Sequence, residues 1–139
     1  MKKIISFFGL LLLMSSCKIA PQKIEYGKDI CSFCDMAIVE KTHAAQYVTK
    51  KGRAYKFDAI ECLIYELKNK PTEEFSFVLV TDYLKPGELI EANLAVYLIS
   101  EDIKSPMGAN LSAYSNKSSI KHEGNHYNWE EINRFLSKK

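Results

Sequence analysis

The stretch RAYKFDAIECLIYEL, residues 53–67, is the most informative about the fold, because the spacing of its large apolar residues changes there from every second residue to the spacing of a helix. Arg53, Tyr55 and Phe57 lie two residues apart, which predicts a short strand with these side chains on one face. Four apolar residues then recur at i, i+3, i+4 and i+7, the spacing of one helix face: Ile60, Leu63, Ile64 and Leu67. The sequence therefore predicts a strand followed directly by an amphipathic helix.

Both ends of the predicted helix carry boundary signals. Asp58 is a good N-cap residue, and Glu61 follows three positions later in the pattern of a capping box. Asn69 and Pro71 stop the helix, because proline cannot continue it. We therefore expect the Asp58 side chain to cap the first turn of this helix.

Strand patterns surround this helix in the first half of the chain. Upstream, MAIVE and HAAQYVT, residues 36–40 and 43–49, are typical of two paired strands with a short turn between them. Downstream, EFSFVLVTDY, residues 74–83, is typical of a strand that is buried on both faces for part of its length. After a Pro-Gly turn, ELIEANLAVYLIS, residues 88–100, predicts one or two more strands.

The second half of the chain is less regular. SPMGANLSAYS, residues 105–115, combines turn residues with a short apolar stretch, and NKSSIKHEG, residues 116–124, predicts a brief helix. NWEEINRFL, residues 128–136, predicts a final helix that Asn128 caps, with Glu131 three positions on. The strands and helices of both halves together predict an α+β fold.

The first 17 residues, MKKIISFFGLLLLMSSC, have the order of a bacterial export signal. Two lysines precede an apolar run at residues 4–14, which is too short for a bilayer that needs about 20 residues. Small residues then lead to Cys17, as in a bacterial lipobox, so we predict removal of residues 1–16 as a lipoprotein signal and lipidation of Cys17. The alternatives are an ordinary signal peptide with an incidental cysteine, or a buried apolar segment. The polar residues 17–29 are predicted to tether the fold to the lipid.

The charge balance argues against a nucleic-acid partner. Removal of the signal takes two of the 19 Lys and Arg residues and none of the 17 Asp and Glu residues, so the mature chain is near neutral. Nucleic acids and anionic lipid surfaces attract an excess of basic residues. We therefore expect no nucleic-acid partner, and a membrane contact through the lipid anchor.

The ten residues DICSFCDMAI, at 29–38, place two cysteines and a methionine close together. Asp35 stands where haem attachment needs histidine, and no second C-x-x-C or H-x-x-x-H completes a structural zinc site. In a strand, Cys34 and Met36 point to the same side, and thiolate and thioether sulfur together select Cu(I). Cys31 either joins such a site or forms a disulfide with Cys34, and Met36 alternatively fills the core.

Two further residues are candidate auxiliary ligands. Cys62 lies off the apolar face of the predicted helix, so it either packs against the second half or lies near the metal as an extra thiol. His43 either approaches the site across the predicted hairpin or is an ordinary surface or core residue. With Cys17 lipidated, three cysteines remain in the fold, so a disulfide leaves one thiol over in an oxidising compartment.

DICSFCDMAI, KFDAIECL and SPMGANLSAY together resemble the NosL-type copper lipoproteins, which are accessory proteins of nitrous oxide reductase maturation. The resemblance extends over about residues 27–129. It implies two small ββαβ-like halves that share a core, here residues 30–85 and 86–139. It also implies a lipid-anchored, periplasm-facing metallochaperone that binds one Cu(I) ion and is not an enzyme.

The resemblance further implies ligands and partners. By motif, Cys34 and Met36 are the first ligand candidates, and Met107 faces them from the second half. Cys31 is a further candidate at a position that varies within the family. Copper is expected to reach nitrous oxide reductase through a membrane transporter complex.

Two other functions fit the same cysteines. A thiol-disulfide oxidoreductase using Cys31 and Cys34 needs its C-x-x-C at a helix N-terminus, where the dipole lowers the thiol pKa. Strand patterns follow Cys34 instead, so the sequence favours the chaperone. A structural lipoprotein with a Cys31–Cys34 disulfide stays open as the third hypothesis.

Overall fold

A computed structural model describes residues 18–138 and contains two antiparallel sheets and two α-helices within that range. This architecture confirms the predicted α+β fold. The predicted signal, residues 1–16, and the predicted lipidation site, Cys17, lie outside the described residues. Between residues 18 and 138, no helix has the length and apolar character needed to cross a membrane.

The first sheet has four strands in the spatial order β2-β1-β3-β4. The strands are β1 (Ala45–Thr49), β2 (Ala54–Phe57), β3 (Phe75–Thr81) and β4 (Leu89–Glu91). Helix α1 (Ile60–Leu67) follows β2 and leads, through a short 3₁₀ turn, into β3. The predicted change from strand to helix within residues 53–67 is therefore confirmed.

The strand predicted at residues 36–40 does not form, and this part of the prediction is wrong. The segment is irregular and makes one isolated bridge, between Ile30 and Ala37. Strand β1 pairs with β2 on one side and with β3 on the other, so it has no free edge for a further strand. In addition, Asp35 has a φ of 60°, which interrupts an extended chain just before Met36.

The second sheet has three strands in the order β6-β5-β7. The strands are β5 (Val96–Ile99), β6 (Leu111–Tyr114) and β7 (Asn125–Tyr127), followed by helix α2 (Trp129–Ser137). A single 3₁₀ turn at Lys117–Ser119 lies between β6 and β7, where the first half has a full helix between strands. At the start of α2, the Asn128 side chain accepts from the Glu131 N–H while the Glu131 side chain accepts from the Asn128 N–H, which confirms the predicted capping box.

The predicted cap of helix α1 is wrong. The helix begins at Ile60, Ala59 occupies the N-cap position, and no side chain caps it. The Asp58 carboxylate instead accepts hydrogen bonds from two thiols. Because the thiols and the backbone N–H groups compete for the same acceptor, the local capping pattern did not determine the outcome.

One hydrophobic core is shared by the two halves. It contains Tyr47 and Phe57 from the first sheet, Tyr97 from the second sheet and Ile132 from α2. The apolar face of α1 faces this core, with its first three members fully buried and Leu67 partly buried. Helix α1 contacts β1 and β2 on one side and β6 and α2 on the other, so it lies at the junction of the halves. Glu61 and Cys62, which lie on α1 outside this apolar face, are also fully buried.

Residues of the predicted tether pack on the first sheet. Gln22 and Gln46 exchange two hydrogen bonds of 2.8 and 2.7 Å, and the Ile24 side chain is buried. The Asp29 carboxylate forms an ion pair with Lys56 on β2 at 2.7 Å. These contacts bring the segment before Cys31 onto the sheet.

Candidate metal centre

Three cysteines and one carboxylate meet where the first sheet, α1 and the irregular 30–40 segment join. The Sγ atoms of Cys31, Cys34 and Cys62 and a carboxylate oxygen of Asp58 all lie within 4.8 Å of one another. All three thiols are free. Because metal–sulfur bonds are about 2.3 Å long, ligand atoms at such separations can reach one common ion. We call these four residues the thiol cluster.

Cys31 and Cys34 are placed by a compact turn. The Asp35 N–H donates to the Cys31 carbonyl at 3.1 Å, and the Cys31 N–H donates to the Met36 carbonyl at 2.8 Å. The Ser32 N–H donates to the Lys56 carbonyl at 2.8 Å, which fixes the turn to β2. The sequence pattern C-x-x-C thus forms a hydrogen-bonded turn on the edge of the sheet, and neither a helix nor a strand follows it directly.

Asp58 links the turn to the helix. Its Oδ1 atom accepts from the Cys34 thiol at 3.4 Å and from the Cys62 thiol at 3.3 Å, and its side chain is only 2% exposed. Asp58 follows the last residue of β2, and Cys62 lies one helical turn further along the chain. Sequence reasoning missed this role. The i, i+4 spacing of Asp58 and Cys62 was the available signal, since residues four apart are neighbours on a helix.

The three thiols differ in their ionisation. The neighbouring Cys62 thiol lowers the pKa of Cys31 to about 6, against the opposing effect of burial. Burial raises the pKa of Cys34 to about 11, and the proximity of Cys31 followed by burial raises the pKa of Cys62. Of the three thiols, Cys31 therefore loses its proton most readily. A thiolate is the form of cysteine that binds metals.

The cluster is accessible from one side. The side chains of Cys31 and Cys62 are fully buried, whereas Cys34 is half-buried. An ion that enters the cluster from solvent must therefore approach past Cys34.

The two candidate methionines lie on loops outside the thiol cluster. Met36 is 47% exposed and lines an open cavity of about 390 Å³, together with Asp58 and with Ser105 and Pro106 from the second half. Met107 directly follows Pro106 and is 38% exposed. The predicted strand that placed Cys34 and Met36 on one side is absent. The same cavity is nevertheless lined by Met36 and by Ser105 and Pro106, which directly precede Met107, and coordination by either methionine stays a prediction.

His43 lies apart from the thiol cluster. Its side chain is 3% exposed, its Nδ1 atom hydrogen-bonds the Thr42 hydroxyl at 2.9 Å, and its ring lies against Tyr83. Burial lowers its pKa, so the ring is neutral at neutral pH. The four residues that approach one another do not include it.

Comparison with known proteins gives two results. The family model described as NosL matches residues 21–136 of the chain. The crystal structure of the copper chaperone NosL from Shewanella denitrificans superposes with a TM-score of 0.70, covers 83% of this chain and 96% of that chain, and is 22% identical in sequence. At this identity the superposition shows a common fold. Comparison with curated proteins gives no significant match.

Proposed function

The chain belongs to the NosL family, and on this premise we propose that it is a copper chaperone, which binds one Cu(I) ion and passes it to a copper enzyme. The observation that carries the proposal is the thiol cluster, in which three free sulfurs and one carboxylate lie within 4.8 Å of one another. The similar solved structure is that of a copper chaperone, which supports the same function.

The donor set suits Cu(I). Thiolate and thioether sulfur are soft ligands, which prefer Cu(I) to hard cations such as magnesium or calcium. Cys31 is the thiol that loses its proton most readily, whereas the raised pKa values of Cys34 and Cys62 make their deprotonation on metal binding more costly. The thioether of Met36 needs no deprotonation, so it can bind the ion at the mouth of the site without a change of charge.

The shape of the site suits transfer of the ion. Cys34 is half-buried and Met36 is exposed beside an open cavity, so an acceptor ligand can reach the metal from the cavity side. Cys31 and Cys62 approach from the buried side and hold the ion until the acceptor has bound. A ligand-by-ligand exchange of this kind avoids release of free copper.

The arrangement of the thiols favours metal binding over dithiol exchange. In an oxidoreductase the attacking thiol is accessible and has a lowered pKa. Here the lowered pKa belongs to Cys31, which is fully buried, whereas the more accessible Cys34 has a raised pKa. A turn, and no helix N-terminus, carries the C-x-x-C pair.

A Cu(I) titration tests the proposed function. The reduced full-length chain in detergent, titrated against a Cu(I) chelator, is expected to take up one tight equivalent. The variants Met36→Ala and Met107→Ala are each expected to bind about 10-fold more weakly, because each loses one neutral ligand and keeps the three thiols. Leu94→Ala, at an exposed apolar residue outside the thiol cluster, serves as the control and should bind as the wild type does. If the wild-type protein took up no Cu(I) in competition with the chelator, the proposed chaperone function would be wrong.

We further propose that Cys17 is lipidated, that the protein faces the periplasm, and that nitrous oxide reductase is the acceptor, reached through a membrane transporter complex. The support is the order of basic, apolar and small residues before Cys17, together with the family resemblance. In a host that makes nitrous oxide reductase but lacks its own NosL-family protein, the chain is expected to enter the membrane fraction and to restore copper to the reductase. The Cys17→Ser variant should be absent from that fraction. An unchanged copper content of the reductase would remove this enzyme as the acceptor.

A further inference from the structure

Glu61 is a buried carboxylate that the thiol cluster does not use. It immediately precedes Cys62 on α1, its side chain is fully buried, and burial raises its pKa. The predicted capping box assigned it to the start of α1, but its Oε1 atom accepts a hydrogen bond from the Ser105 hydroxyl in the second half. Its Oε2 atom has no hydrogen-bond partner among the described residues. A buried acceptor without a partner destabilises a fold, so this carboxylate calls for a role other than stability.

The contacts of Glu61 lie on both sides of Met107. The Ser105 hydroxyl, two residues before Met107, donates to the carboxylate. The Ala109 N–H, two residues after Met107, stabilises its negative charge. Between them, the Gly108 N–H donates to the Ser105 carbonyl at 3.0 Å and the Asn110 N–H donates to the Ser105 hydroxyl at 2.9 Å. Ser105 therefore closes a turn with Gly108 and Asn110, and its hydroxyl fastens that turn to one carboxylate on α1.

We propose that Glu61 is a positioning residue of the copper site, which holds the 105–109 turn against α1 and so sets Met107 next to the cavity that Met36 and Asp58 line. The inference rests on the proposed function, since it assigns Met107 to the copper site. Glu61 and Cys62 are consecutive residues of α1, so the same helix that carries a thiol into the cluster also locates the loop of the second half. The thioether and the thiols thus keep a fixed relative position although they belong to different halves.

Amide hydrogen exchange on the copper-free, full-length protein in detergent tests the positioning directly. In Glu61→Ala, the Gly108 and Asn110 amides are expected to exchange at least about tenfold faster than in the wild type, because the turn loses its attachment. In Glu61→Gln the amide oxygen still accepts from Ser105, and exchange should stay within about twofold of wild type. Glu66→Ala, on the same helix but in an ion pair with Lys70, controls for general loosening of α1. Ser105→Ala removes the donor of the same hydrogen bond, and it replaces Glu61→Ala in this experiment if Glu61→Ala does not fold.

Copper binding tests the functional consequence. Glu61→Ala and Met107→Ala are each expected to lower the Cu(I) affinity by about 10-fold, and the double variant should lose no more than either one, because both changes remove the same thioether. The proposal would be overturned if the losses of Cu(I) affinity multiplied in the double variant. It would also be overturned if the Gly108 and Asn110 amides exchanged at the wild-type rate in both Glu61→Ala and Ser105→Ala. A wild-type protein that binds no copper overturns the proposed function, and the exchange experiment then still decides whether Glu61 holds the turn.

Discussion

Replacement of Cys34 by serine is expected to lower the Cu(I) affinity by at least about 100-fold. Loss of a residue that only supports a metal ligand costs up to about 100-fold in affinity, and loss of a direct ligand should cost at least as much. Cys34 is the cluster thiol that faces solvent, and it supplies a soft ligand that a serine hydroxyl cannot replace for Cu(I). The fold should survive, because a serine hydroxyl can donate to Asp58 as the thiol does. The measurement is a competition titration against a Cu(I) chelator, with the melting temperature recorded for the same samples.

Ser32→Ala is the matched control for this variant. Ser32 lies in the same turn, is exposed, and fixes the turn to β2 through its backbone N–H, which the substitution retains. Its Cu(I) affinity should equal that of the wild type. If Cys34→Ser kept wild-type affinity, the thiol cluster would not be the copper site, and the hypothesis of a structural Cys31–Cys34 disulfide would take its place.

Replacement of Phe57 by alanine is expected to lower the free energy of unfolding by about 3–5 kcal/mol, the cost of removing a fully buried aromatic ring and leaving a cavity. Phe57 ends β2, is completely buried, and stacks on Tyr47 with ring centroids 5.7 Å apart. A loss of this size is a large part of the total stability of a small domain, which is about 5–15 kcal/mol. Urea unfolding followed by the fluorescence of Trp129, the single tryptophan, measures the change.

The control for this loss is the same substitution at an exposed phenylalanine. Phe33 lies in the turn between the two cysteines, is 41% exposed, and has one ring neighbour, Tyr65, at 5.8 Å. Phe33→Ala should cost less than about 1.5 kcal/mol, the range of one aromatic pair. Equal losses for the two variants would show that Phe57 does not anchor the core that supports Asp58.

Local patterns predicted the elements whose partners lie close in the sequence. The alternation that ends at Phe57 and the helical spacing of Ile60 to Leu67 depend on neighbours within a few residues, and both elements form as predicted. The Asn128 capping box is equally local and also forms. The segment 36–40 carries an acceptable strand pattern, but a strand also needs a free edge to pair with, and β2 and β3 already occupy both edges of β1.

The residues of the candidate site also differ in whether short sequence motifs indicated them. Cys31, Cys34, Met36 and the family resemblance were available from short motifs, because C-x-x-C-x-M is contiguous. The hydrogen bond between Cys34 and Asp58 was not available in this way, because it depends on a turn 24 residues earlier in the chain folding onto the start of α1. Cys62 was left with two alternatives for the same reason, and its place in the cluster follows from that tertiary contact.

The sequence alone indicated which reactive groups residues 18–138 contain, namely three cysteines and two methionines in recognisable motifs, and it predicted an α+β alternation of strands and helices. The tertiary structure decided which of these groups meet. It turned Asp58 from a predicted helix cap into the common acceptor of two thiols, lowered the pKa of Cys31, and joined Glu61 to Ser105 across the two halves. The difference arises from distance along the chain. Periodicity and capping depend on residues a few positions apart, whereas the hydrogen bonds Cys34–Asp58 and Ser105–Glu61 join residues 24 and 44 positions apart.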